Sequence, residues 1–186
     1  MIHEWRSYRL KPGAAAEYLV LLADQGLPLV TRHLPLMGYW LAETGALNVI
    51  HHLWSYAGWA EREAARAGLA TEEGWTRGFI PRAFALVEEQ QNRLLQLNRS
   101  SSAFEAALSR RRNSHPVRAA GVPLFAADCA GLVIGPPSEA AIAQWTPLSG
   151  DPRPLSLLPR RADPLPAAPL PGADHTVLRP LVFSPL

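Results

Sequence analysis

Alternating apolar and polar positions predict a strand at the start of the chain and a hairpin after it. Residues 2–10 alternate with a period of two, as a half-buried strand does. Residues 36–56 form two apolar runs, rich in aromatic and β-branched side chains, on either side of a turn at residues 43–46. The first strand presents two faces, one with Glu4, Arg6 and Tyr8 and the other with His3, Trp5, Ser7 and Arg9.

Helical periodicity separates and follows these strands. Residues 14–25 carry an apolar stripe at helical spacing, and Gly26 and Pro28 are expected to end or kink that helix. A second helical region, broken near its glycines, is predicted over residues 58–89, and a last strand over residues 91–97. The order of elements is therefore β-α-β-β-α-β.

This order of elements has a consequence for the sheet. Right-handed crossovers place the first strand between the third and the fourth, with both helical regions on one face. The other face is left bare, although it carries apolar and aromatic side chains. A bare apolar face of this kind predicts that two copies associate as a homodimer.

The two halves of the chain differ in composition. Residues 1–97 contain four prolines, whereas residues 98–186 contain fourteen. We therefore expect a folded domain over residues 1–97 and a Pro-rich extension over residues 98–186, packed on that domain or on its dimer partner, or else disordered. Within the extension, the pattern predicts a helix over 100–112 capped by Ser100 or Ser101, a strand over 128–135, a helix over 138–145 capped by Ser138, extended chain over 146–174 and a strand over 175–183.

Charge and cysteine content exclude several classes of function. The formal net charge is only +2, and the three consecutive arginines at 110–112 have no interleaved aromatics, so we expect no nucleic-acid partner. Cys129 is the one cysteine, which excludes an intrachain disulfide and a cysteine metal cluster. No signal peptide and no membrane-spanning apolar run are visible, and the default expectation is a cytoplasmic protein. Lys11 is the only lysine among 18 basic residues, a bias typical of GC-rich bacterial genes.

Several short motifs occur in order along residues 1–97 and together resemble the NIPSNAP family. They are Glu4-x-Arg6-x-Tyr8, Lys11-Pro12-Gly13, Gly38-Tyr39-Trp40, Leu47-Asn48, His52-Leu53-Trp54, Ala60-Glu61-Arg62-Glu63 and Gln91-Asn92-Arg93-Leu94-Leu95. The resemblance implies an α+β fold, a ferredoxin-like β-α-β-β-α-β protomer that forms a dimeric α/β barrel. It implies no particular reaction, because the wider superfamily includes cofactor-free monooxygenases, polyketide cyclases, haem-degrading enzymes and plain ligand binders.

Histidines and tyrosines on the first strand and the hairpin are the candidates for chemistry. We expect a pocket between sheet and helices in which His3, His51 or His52 acts as general base while Tyr39 helps to hold a developing oxyanion. In the alternative interpretation, these polar groups satisfy one another within the sheet or the dimer interface, and the aromatic residues are core. The residues expected to bind a substrate are Arg6, Tyr8, Asn48, Trp40, Trp54, Trp75 and Phe79.

We expect no cofactor and no metal ion. Adjacent residues on a strand point to opposite faces, so His51 and His52 are poorly placed to share one ion. Haem-degrading relatives take an axial histidine from the second helical region, and residues 57–90 here contain none. The functional hypothesis is a cofactor-independent isomerase, cyclase or monooxygenase for a small apolar, aromatic or polyketide-like molecule. The alternative is a non-catalytic interaction or ligand-sensing protein.

Overall fold

A computed structural model describes residues 1–168 and 170–186 of the chain. The first half forms one ferredoxin-like unit in which each crossover consists of two α-helices joined through a π-helical turn. Its elements are β1 (Ile2–Leu10), α1 (Ala15–Leu21), a π-helical turn (Leu22–Gly26), α2 (Leu27–Val30), β2 (Leu36–Ala42), β3 (Val49–Tyr56), α3 (Trp59–Ala70), a second π-helical turn (Gly74–Phe79), α4 (Ile80–Phe84) and β4 (Val87–Ser100).

The described residues of the second half contribute one helix and four further strands. They are α5 (Ser102–Ser109), β5 (Cys129–Ile134), β6 (Ala143–Ser149), β7 (Leu155–Arg161) and β8 (Asp174–Pro180). All eight strands belong to one closed barrel in the order β1-β3-β2-β8-β5-β7-β6-β4, and every paired neighbour is antiparallel.

The two halves of the barrel have the same strand order. In the first, β1 lies between β3 and β4, with β2 beyond β3; in the second, β5 lies between β7 and β8, with β6 beyond β7. The two junctions between the halves are equivalent as well. Each pairs the second strand of one half with the fourth strand of the other, β2 with β8 and β6 with β4. In the first half, helices connect β1 to β2 and β3 to β4. The equivalent connections in the second half are residues 135–142 and the segment between β7 and β8, whose described residues form only turns, bends and irregular backbone. The second half therefore has the sheet of a ferredoxin-like unit without its helices.

This closure corrects the prediction of a barrel shared between two protomers. The first sheet does have a face free of its own helices, as the sequence predicts, but strands β5–β8 of the same chain cover it. A second copy is not needed to bury that face. Homodimerisation stays a prediction, and its original structural reason no longer applies.

Several element boundaries also differ from the predictions. The predicted helix over 138–145 is wrong, because Ala143 and Trp145 are fully buried inside the barrel as alternate residues of β6. Long-range pairing with β4 and β7 outweighs local helical propensity there. Of the two outcomes predicted at Gly26 and Pro28, an end of the helix is not observed, because the helical region continues to Val30; the α-helix is interrupted by the π-helical turn that ends at Gly26.

Apolar side chains form two cores, one on each side of the first sheet. One lies between that sheet and its helices and includes Tyr18, Leu19 and Phe79; the other fills the barrel interior and includes Trp40 and Trp145. Helix α5 begins at Ser101, whose Oγ accepts a hydrogen bond from the Phe104 backbone N–H at 3.3 Å. Its apolar face packs into the barrel interior. None of the described helices has the length and apolarity needed to cross a lipid bilayer.

Candidate functional site

A cleft of about 450 Å³ lies between the first sheet and the helices that cover it. Its position agrees with the predicted pocket between sheet and helices. Most of its wall is apolar, formed by side chains such as Leu22, Val30, Leu69, Trp75, Ile80 and Phe84. The polar side chains converge on the sheet side and include Arg6, Tyr8, Tyr39, His52 and Gln90.

Strand register explains why these polar side chains meet. Tyr39 on β2 lies opposite His52 on β3, and His52 lies opposite Arg6 on β1. The next such row along β1 contains Tyr8, which lies opposite Gln90 on β4. Because alternate residues of a strand share a face, both rows point to the same helix-covered side.

His52 is held by aromatic side chains on three sides. The Tyr39 ring stacks on it at 4.8 Å and 9°, and Tyr8 meets it edge-on at 4.9 Å. The Trp54 indole Nε1–H donates a hydrogen bond to Nδ1 at 2.6 Å. An indole N–H can only donate, so Nδ1 is the acceptor and the neutral ring carries its proton on Nε2. That Nε2 is buried and has no hydrogen-bond partner among the described residues.

This environment argues against His52 as a general base. Burial lowers the pKa of His52 well below its usual value, and the nearby positive charge of Arg6 acts in the same direction. The only lone pair of the neutral ring already accepts the Trp54 N–H. His52 is therefore a hydrogen-bond donor in this cleft, and the predicted role of proton acceptor does not fit its geometry.

Two arginines make the cleft electropositive. Arg6 lies 5.2 Å from the centre of the Tyr8 ring, and its buried Nε has no hydrogen-bond partner in the described part of the chain. Arg66 from α3 also lines the cleft. Both guanidinium groups approach the buried carboxylate of Glu4, at 3.6 Å and 3.9 Å. Glu4 is thereby a common anchor for the two cationic side chains.

The tyrosines of the cleft keep their protons at neutral pH. Burial raises the pKa of Tyr39 well above 10, and it likewise raises the pKa values of Tyr18 and Tyr8. The hydroxyls of Tyr18 and Tyr39 lie 3.4 Å apart. Like the histidine, they are suited to donate hydrogen bonds to an anion and not to remove a proton.

The other two candidate histidines face the barrel interior instead. His3 lies opposite Ser55, with its Nδ1 2.6 Å from the serine Oγ, and burial lowers its pKa to about 4. His51 neighbours His52 in sequence but points to the opposite face of β3. Of the three histidines predicted for the pocket between sheet and helices, only His52 lines it.

Three of the predicted substrate-binding residues also lie outside the cleft lining. Trp40 is buried in the barrel interior, stacked on Trp5 at 5.3 Å. Asn48 adopts a left-handed φ of 58°, and its carbonyl accepts a hydrogen bond from the Leu10 N–H at 2.8 Å, which is a backbone role. Phe79 is buried behind Trp75, on which it stacks at 4.7 Å.

Sequence reasoning missed Tyr18 and Arg66, although helical spacing contained a signal for both. Tyr18 lies one turn before Leu22 on the predicted apolar stripe, and Arg66 lies one turn after Arg62 on α3. For metal binding, no group of three or more His, Cys, Asp or Glu side chains with suitable proximity occurs within residues 1–168 and 170–186.

Comparison with known proteins supports the resemblance seen in the motifs. The NIPSNAP family model matches residues 3–102. Human protein NipSnap homolog 3A is 34% identical over 98 residues, which cover 52% of this chain and 39% of the human protein. Danio rerio protein NipSnap homolog 1 is 29% identical over 94 residues, which cover 50% of this chain and 33% of that protein. The chain thus spans less than half the length of these curated relatives.

Solved structures with the same domain extend the comparison to the fold. A NIPSNAP family protein with unknown function from Agrobacterium tumefaciens is 35% identical, with a TM-score of 0.52, and the match covers 55% of this chain and 92% of that one. An uncharacterized NIPSNAP domain protein from Burkholderia xenovorans is 33% identical, with a TM-score of 0.50, covering 52% and 93%. Because the family model matches more than half of the sequence, this chain belongs to the NIPSNAP family.

Proposed function

We propose that the protein binds a small organic anion with a flat apolar body in the cleft between its first sheet and its helices. The observation that carries this proposal is a pair of buried donors on neighbouring strands, His52 Nε2–H and Arg6 Nε–H, for which the described residues provide no acceptor. An unmet buried donor is costly, and an anionic ligand oxygen that reached either donor would satisfy it.

The rest of the cleft fits the same class of ligand. Arg6 and Arg66 supply positive charge, and no carboxylate side chain lines the wall among the described residues. The apolar walls and Trp75 suit a planar hydrocarbon or aromatic body. A volume of about 450 Å³ is within the range of small-molecule sites.

Calorimetry with a matched pair of probes tests this proposal. Cinnamate has a flat apolar body and a carboxylate, whereas cinnamamide has the same shape without the charge. We expect saturable binding of cinnamate, weaker binding of cinnamamide, and a loss of at least about tenfold in cinnamate affinity for Arg6→Gln. Arg82→Gln is the control, since Arg82 lies in the same helical layer, is exposed and hydrogen-bonds Gln25 at 3.1 Å. Equal affinities for the two probes, or an unchanged affinity in Arg6→Gln, would refute the proposal.

A second candidate function follows from the same donors. Groups that hold a carboxylate also stabilise an enolate, which is the intermediate of the cofactor-independent isomerase, cyclase or monooxygenase reactions predicted from the sequence. In this version His52 acts by donating a hydrogen bond, and the proton of the substrate leaves to solvent. Benzoylacetone is a suitable probe, because its enolate is visible by ultraviolet absorption. A bound enolate that is converted supports an enzyme, a bound enolate that persists supports a ligand-binding or sensing protein, and no enolate signal excludes this candidate.

A further inference from the structure

A second cavity, of about 690 Å³, lies on the opposite face of the same strands, inside one end of the barrel. Both halves of the chain contribute to its wall. Trp5, Ser7 and His51 come from the first half, whereas Leu132, Ile134 and Thr176 come from the second. The cavity therefore exists only because the second half closes the barrel.

Arg93 is the first reason to regard this cavity as a site. It lies directly opposite Trp5 in the β1–β4 ladder, and its side chain is only 12% exposed. One of its terminal nitrogens, Nη2, bonds the Asp151 carboxylate at 3.0 Å. The other, Nη1, is buried and without a hydrogen-bond partner within the described residues. A buried guanidinium nitrogen of this kind is a strong donor to an oxyanion.

His51 supplies a second donor on the same face. The Trp5 indole Nε1–H donates to its Nδ1 at 3.2 Å, and the Ser7 hydroxyl lies 2.8 Å from the same nitrogen. Because the indole can only donate, Nδ1 is the acceptor and the neutral ring carries its proton on Nε2. Ser7 lies opposite both His51 and Gln91, and it is two residues along β1 from Trp5, which lies opposite Arg93. These side chains therefore share one face of the sheet.

The other charged side chains at this cavity are already paired with neighbours. Arg9 and Glu89 form an ion pair, and Asp174 accepts from Arg153 at 2.6 Å. Arg153 also bonds Asp151, donating from Nη2 to Oδ2 at 2.9 Å. Arg93 is itself paired with Asp151 through Nη2, and among the described charged side chains at this cavity the donor left without a partner is its Nη1.

We propose that the open end of the barrel is a second binding site, distinct from the cleft, for a small organic oxyanion whose charged group meets Arg93 and His51 while its apolar part contacts Trp5. A carboxylate and a phosphate ester share this chemistry, and the probes below separate them.

Histidine ring NMR tests the two sites in one spectrum. His51 reports the barrel cavity and His52 reports the cleft, so failure at one site is visible independently of the other. The probes are phenyl phosphate and benzoate. We expect at least one of them to shift the His51 ring nitrogens saturably, and Arg93→Gln to weaken that binding by at least about tenfold.

Two further variants keep the test decisive. Arg99→Gln is the control, because Arg99 is an exposed arginine on the same strand that does not line the cavity, and we expect it to leave the affinity unchanged. If Arg93→Gln does not fold, Arg93→Lys retains the ion pair with Asp151 but removes the second guanidinium nitrogen, and the same loss of affinity is expected. Absence of a saturable His51 shift with both probes, or full affinity in the Arg93 variant, would overturn the proposal.

Discussion

The carboxylate of Glu4 offers the sharpest test of how this fold holds its charged groups. Glu4 is fully buried, and it accepts hydrogen bonds from Arg62 Nε at 3.1 Å, Arg62 Nη2 at 2.9 Å and Asn92 Nδ2 at 2.8 Å. Glu4→Gln keeps the shape but removes the charge, and it leaves the Arg62 guanidinium facing an amide. Breaking one side of a buried ion pair costs about 3–5 kcal/mol. We expect about 3 kcal/mol here, since the amide oxygen still accepts one bond.

The matched control uses the same arginine. Arg62 Nη1 also bonds Glu63 at 2.8 Å, but the Glu63 side chain is 56% exposed. Exposed ion pairs contribute about 0–1 kcal/mol, so Glu63→Gln is expected to cost less than about 1 kcal/mol. Urea unfolding followed by far-ultraviolet circular dichroism measures both free energies of unfolding. Equal losses in the two variants would show that burial does not set the strength of this pair.

The remaining predictions concern pH, packing, capping and association. Burial lowers the pKa values of His3 and His51 to about 4, below about 6.5 in the unfolded chain, so the unfolded state binds more protons between these values. The free energy of unfolding is therefore expected to be highest above about pH 6.5 and to fall toward pH 4, by up to about 1.4 kcal/mol per pH unit for each histidine. Plotted against pH over this range, the urea midpoint should change less steeply for His3→Gln than for the wild type. An unchanged dependence on pH would count against burial as the cause. Gly38→Ala is expected to destabilise by about 1–3 kcal/mol in urea, because a Cβ at Gly38 would overlap the buried Trp40 ring, and a wild-type midpoint would contradict this packing. Ser101→Ala should cost about 1 kcal/mol by loss of the α5 cap, whereas the neighbouring Ser102→Ala should not, and equal losses would argue against the cap. Because the barrel closes within one chain, the unfolding midpoint should not depend on protein concentration; a midpoint that rises with concentration would instead support the predicted homodimer.

The sequence was most informative where short-range pattern and long-range pairing agree. Alternation in residues 2–10 placed Glu4, Arg6 and Tyr8 on one face of the first strand, and the structure shows that helices cover this face. Strand geometry likewise placed His51 and His52 on opposite faces of the third strand. The hairpin and the position of β1 in the sheet followed from turn chemistry and crossover handedness.

Long-range pairing accounts for what sequence reasoning missed. Residues 143–149 form a strand because β4 and β7 pair with them on either side, and these partners cannot be predicted from the local sequence pattern. The protonation state of His52 was beyond sequence reasoning for a related reason. It depends on a hydrogen bond from Trp54 and on stacking with Tyr39, and side-chain geometry of that kind is not visible in spacing.

Closure of the barrel within one polypeptide also changes how its two halves can evolve. In an assembly of two identical chains, every substitution occurs twice, once on each side of the symmetry axis. Here a substitution in β5–β8 alters one wall of the barrel and leaves the cleft beside β1 and β3 intact. The half without helices is thus free to diverge in shape and charge while the half with helices keeps its cleft. The cleft and the barrel wall formed by β5–β8 can therefore evolve separately within one gene.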